Sequence, residues 1–112
     1  MVRMMVFCRF QKEKLHRWPG AVEHKEVSYL ANLHRHMFHF QVKLEVSHDD
    51  REIEFIMLKH EMEKLVDGWG EEVGSCEMMA SSIARYLRER YPGRQFEIEV
   101  SEDGENGAVL ES

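Results

Sequence analysis

Residues 36–47 alternate. Phe38, Phe40, Val42, Leu44 and Val46 fall on one side of a two-residue period, and His39, Gln41, Lys43 and Glu45 on the other. Such alternation specifies a β-strand with one buried face, because successive side chains leave a pleated sheet on opposite sides. It also fixes register, since a slip of one residue would turn every phenylalanine to solvent. Extended backwards, the same count places His34 and His36 on the apolar side. An imidazole directed at a core must pair its nitrogens or stay partly wet, because leaving a buried polar group unsatisfied costs about 1–3 kcal/mol. Two imidazoles two positions apart on a strand project side by side, a spacing suited to one metal ion. Zinc takes imidazole nitrogen at about 2.0–2.1 Å. Loop-end histidines bonded to backbone carbonyls are the structural alternative.

The rest of the chain supplies partners for this strand. "VRMMVFCRFQ", residues 2–11, alternates as a first strand. The stretch that follows, 12–32, has a Pro-Gly pair and no clean period and reads as a long loop. "HDDREIEF" reads as a turn and a short extended piece. A helix fits "IMLKHEMEKLVD", with Phe55, Leu58, Met62 and Leu65 at helical spacing and Gly68 to stop it. Ser75 is a good N-cap for a second helix that runs to about Tyr91 and buries Met79, Ile83 and Leu87. Glu77 in its first turn suits the helix dipole. "QFEIEV" alternates as a third strand, "EDGENG" turns, and "AVLE" makes a short fourth. The order β-β-α-α-β-β predicts one α+β domain over residues 1–112, with an antiparallel sheet and two helices packed on one face. Such a sheet has two open edges, so self-association is expected.

Composition narrows the function classes. The 112 residues carry a net charge of −6 and show no basic stripe, which argues against nucleic acid as a partner. No apolar run approaches the roughly 20 residues of a membrane span, and no secretory h-region is visible at the start. Cys8 and Cys76 make no disulfide framework, and reduced thiols in a cytoplasmic protein are the simplest reading.

"LHRHMFHFQVKLEV" resembles the "LHGH" strand of the 6-pyruvoyl-tetrahydropterin synthase family, which includes the 6-carboxy-tetrahydropterin synthases of deazaguanine (queuosine) biosynthesis. "IEFIMLK" resembles the family's approach to its first helix, with Glu54 in place of aspartate. "SCEMMASSIARYL" resembles its "T-x-E-x-x-A-x-x-I" helix, with Ser75 for threonine and Glu77 kept. "IEVSED" resembles its "V-x-V-x-E-T" strand, with Glu102 at the glutamate. The resemblance spans nearly the whole chain and implies a tunnelling-fold-like sheet. It implies Zn2+ held by three histidines: His34, His36 and one after the first strand. His16 is preferred for the third place by its interval from Phe10, and His24 competes. It further implies that Glu102 grips the 2-amino-pyrimidinone edge of a pterin, with Glu77 assisting, and that the protein is a homo-oligomer, a trimer or hexamer. A carboxylate is chemically apt for that edge, because it accepts two parallel N–H bonds.

The pattern also breaks. The family's cysteine base falls at Leu30, and its histidine after the first helix falls at Gly68, although Asp67 matches the aspartate beside it. "EHKE", residues 23–26, resembles the family's "G-H-K-C" and would put Glu26 in the base position. Arg17, Lys25 and Arg35 lie where a triphosphate would need cations. Two readings follow from the resemblance. One is a zinc-dependent carbon-oxygen lyase acting on a dihydroneopterin triphosphate-type substrate, with Glu26 and Asp67 moving protons. The other is a zinc-containing protein that binds a pterin, purine or nucleotide without turnover.

Overall fold

The computed structural model describes residues 2–112. Four strands, β1 (Met4–His16), β2 (His34–Val46), β3 (Phe96–Glu102) and β4 (Asn106–Glu111), form one antiparallel sheet in the order β1-β2-β3-β4. Helices α1 (Phe55–Asp67) and α2 (Cys76–Arg90) lie between β2 and β3 in the chain. This is the α+β class and the β-β-α-α-β-β order that the alternation implies.

The face of β2 predicted to be apolar is the face that packs. Phe38, Phe40, Val42 and Leu44 are buried there, joined by Cys8 and Phe10 from β1 and by Phe96, Ile98 and Val100 from β3. Phe10 and Phe40 stack across the β1–β2 pair, with ring centroids 4.9 Å apart. Onto this face α2 lays Met79, Ala80, Ile83, Ala84 and Leu87, and α1 lays Leu58, Met62 and Val66. Phe55, expected in the core, is exposed. Val66 does the work assigned to it, because the buried stripe of α1 is set one turn further on. The helices begin at side-chain caps: Glu54 accepts from the amides of Ile56 and Met57, and Ser75 from Met78. These bonds satisfy donors that a first turn leaves free.

β1 continues to His16, well past the end at residue 11 that the sequence suggests. The extension alternates too, but its inward side carries Lys12, Lys14 and His16, so its polarity hides the strand. Register pairs Lys14 with His36 and His16 with His34. Lys14 is buried, and its ammonium donates to the carbonyls of Val66 (3.0 Å) and Gly70 (2.5 Å) at the end of α1. A cation is favourable at that pole of a helix. Nor is 17–33 a structureless loop. Two 3-10 segments, Pro19–Glu23 and Lys25–Ala31, are built from three-residue bonds such as Ala21 N to Trp18 O (3.0 Å) and Val27 N to His24 O (3.0 Å). Trp18 N to Leu30 O (2.7 Å) closes their base.

The short extended piece expected before α1 is absent. Residues 47–54 instead bend around Glu52, which accepts from Ser47 N and Oγ and from both terminal nitrogens of Arg94. No helix among the described residues is long and apolar enough to cross a membrane.

Two predictions follow. Leu87 is wholly buried between α2 and the sheet; Leu87→Ala lowers the unfolding free energy by about 2–5 kcal/mol in urea titration. The Arg94 guanidinium, then Ser47, hold the Glu52 carboxyl well below the usual carboxylate range. A depressed carboxylate stabilises the fold above its unfolded pKa, and that contribution is lost as pH falls through the folded value. Glu52→Gln therefore lowers Tm near neutral pH, and its gap from the parent narrows progressively below about pH 4.

Candidate metal centre

Three strands end at one corner of the helix-facing side of the sheet. His16 closes β1, His34 opens β2 directly opposite it, and His36 follows two residues on. Glu102 closes β3 opposite Phe38. One ligand atom from each of His16, His34, His36 and Glu102 lies within 4.8 Å of all the others, a group able to hold a metal ion. His24 does not join them; it is exposed and stacks on Trp18.

The imidazoles are oriented from behind. His34 Nδ1 faces the carbonyl of Asn32 at 2.8 Å, and His16 Nδ1 that of Gly74 at 3.1 Å. His36 Nδ1 faces Asp103 Oδ2 at 2.8 Å. A carbonyl or carboxylate only accepts, so each contact assigns the proton to Nδ1 and leaves Nε2 with its lone pair in the neutral ring. Each ring thus has its Nδ1 held from behind. That is how metal-binding histidines are commonly set, with the second nitrogen fixed by a carbonyl or carboxylate.

The donor set fits a cation. His34 Nε2 is buried and has no hydrogen-bond partner. His16 Nε2 lies 2.8 Å and His36 Nε2 3.6 Å from Glu102 Oε2. Both nitrogens of each of these rings thus face acceptors. The three ring centroids lie only 4.5–5.4 Å apart. A divalent cation held by this group would give the orphaned His34 nitrogen a partner.

The supporting residues have structural causes. Leu15 bonds to the backbone of Glu71 (2.8 Å) and Val73 (2.8 Å), so residues 71–73 run along β1 and deliver the Gly74 carbonyl to His16. Asp103 sits in the β3–β4 turn at φ 56°, before Gly104 at φ 74°. An Asp-Gly pair with both residues at positive φ makes a tight hairpin turn. Asp103 Oδ1 also accepts from Met37 N (3.2 Å), and its carboxyl is held below its ordinary range, first by His36 and then by that amide.

Beside the group lies an open hollow of about 350 Å³, lined by His16, Ser75, Cys76, Glu77, Glu102 and Asn106 among others. Burial, then the charges of Glu102 and Glu77, push the Cys76 thiol up to about 11, so it is neutral near pH 7. Cys76 comes here as the first residue of α2, between the cap Ser75 and Glu77 at the same hollow. Glu77 is exposed at the start of α2 and borders the hollow with Glu102. Asp67 is exposed at the end of α1 and pairs with Lys12 Nζ at 3.0 Å. Lys12 lies four positions before His16, about 13 Å of strand. Glu26 is exposed on the second 3-10 segment, outside the group. Arg17 pairs with Glu72 and Arg35 with Glu13, both at the surface. Trp69 packs against the core near Phe40.

Asp103 and the carbonyls of Asn32 and Gly74 were not foreseen. A carbonyl carries no sequence signal, but an aspartate following the last strand residue did offer one. No protein-family model matches the chain, and no curated protein matches it.

Asp103→Asn tests the support of His36. Asparagine tolerates positive φ, but its single oxygen cannot serve both Met37 N and His36 Nδ1. Affinity for a divalent metal ion, measured by chelator competition, should fall about 10- to 100-fold while circular dichroism shows the metal-free variant still folded.

Proposed function

We propose that the protein is a zinc-dependent, pterin-handling member of the 6-pyruvoyl/6-carboxy-tetrahydropterin synthase type, acting on a dihydroneopterin triphosphate-type substrate. The observation that carries this reading is the convergence of His16, His34 and His36, one with an orphaned buried nitrogen, beside a carboxylate at the edge of a ring-sized hollow. Three imidazoles make a donor set suited to zinc that retains a position for substrate. Zinc, when bound, supplies Lewis-acid polarisation of substrate oxygens.

The chain's own groups do the rest. The three Nδ1 contacts hold the rings in one tautomer and orientation. Glu102 accepts paired N–H groups from the pyrimidinone edge of the ring, and Glu77 adds a second acceptor at the mouth of the hollow. The strand ends and α2 wall the ring on one side and leave the other open. In this reading proton movement falls to Glu26 and Asp67, which would have to reach the hollow from outside it. Oligomerisation through the open sheet edges, as a trimer or hexamer, belongs to the same proposal, as does a cytoplasmic location without a nucleic-acid partner.

A second reading, ring binding without turnover, is favoured by one specific observation. Neither Glu26 nor Asp67 lines the hollow, and the thiol that does, Cys76, is neutral near pH 7.

The purified protein should retain one zinc per chain, and His34→Ala should lose it; equal zinc in both removes the assignment. Incubation of the zinc-loaded protein with dihydroneopterin triphosphate, followed by product analysis, separates the readings. Loss of triphosphate in the parent and its abolition in Glu26→Gln support the lyase. Binding with substrate recovered intact supports the second reading.

A further inference from the structure

Glu102 borders two places at once. Its Oε2 faces the Nε2 atoms of His16 and His36 at 2.8 and 3.6 Å, and its side chain also lines the hollow. Its backbone is fixed: Asp103 N donates to Met37 O at 2.8 Å, and Glu105 N to Glu102 O at 3.0 Å. Only side-chain torsions can therefore change what this carboxylate meets. A coplanar grip on two ring N–H groups uses both oxygens. Facing the imidazoles commits one of them to a different direction. The two tasks compete for a single carboxylate.

We infer that Glu102 exchanges partners: it is the fourth protein donor to the metal while the hollow is empty of ligand, and it leaves when a flat ring with paired N–H donors docks. The inference rests on the metal-and-ring reading above and adds its regulation. Three imidazoles and a carboxylate make a four-donor set with no position left for a substrate; three imidazoles alone leave one open. Glu77 is a second carboxylate at the same hollow, available to accept from the docked ring. A ring with paired N–H donors offers both Glu102 oxygens a partner and draws the carboxylate out. The open position is thus created only when the ring that needs it is in place.

Cobalt(II), whose visible absorption reports donor number and type, is the probe, loaded into the full chain with and without neopterin. In the parent, neopterin should shift the spectrum toward that of Glu102→Gln without ligand. In Glu102→Gln the cobalt spectrum should be altered from the start and insensitive to neopterin. Far-ultraviolet circular dichroism checks that the variant is folded, and Glu102→Ala repeats the comparison with no amide oxygen available. Parent and variants with identical cobalt spectra would overturn the inference while leaving the three-histidine site standing. A Glu102-dependent spectrum that neopterin leaves unchanged, although equilibrium dialysis shows neopterin bound, would overturn the exchange and mark a permanently closed site; no bound neopterin would refute the ring reading. No cobalt retained by the parent would instead refute the metal reading on which both rest.

Discussion

The pairing of His16 with His34 across β1 and β2 is the constraint on which the site depends. It exists because the β1–β2 ladder runs unbroken from Met4–Val46 to His16–His34. The register is locked far from the site, where Phe10 stacks on Phe40 and Cys8 and Val42 lie buried in the core. A one-residue slip would expose those side chains and turn the imidazoles away from one another. Burial of the sheet's apolar face therefore sets the separation of the nitrogens. The same logic brings Glu102 in, through the pairing of β2 with β3.

That arrangement crowds polar groups together and leaves one ring nitrogen without a partner. Acceptors stand behind each ring, a carboxylate stands in front of two, and His34 Nε2 faces nothing. Buried polar groups are normally satisfied, and a bound ion is one explanation for an exception. The surrounding structure holds the group in place: Lys14 fastens the end of α1 to β1, residues 71–73 run alongside, and the Asp-Gly turn holds Asp103 against His36.

Much of this was legible in the residues. The alternation in β2 announced its buried face and put His34 and His36 on it. Helical spacing located both helices, and Ser75 marked the start of the second. What escaped was polar in the wrong place. Lys12, Lys14 and His16 occupy inward positions of a strand, so hydrophobicity alone ends β1 too soon. The 3-10 turns of 19–31 have no period to find. Asp103 looked like a turn residue, which it is; its carboxylate reaches His36 only because β3 and β2 are neighbours, a fact of topology.

X-ray absorption at the zinc edge of the metal-loaded protein tests the central claim most directly. The account predicts a shell of nitrogen and oxygen at about 2.0–2.1 Å with the outer-shell scattering of imidazole rings, lost when His16, His34 and His36 are replaced together. A sulfur shell near 2.3 Å, placing the metal on Cys8 or Cys76, or an imidazole signal that survives the triple replacement, would contradict it.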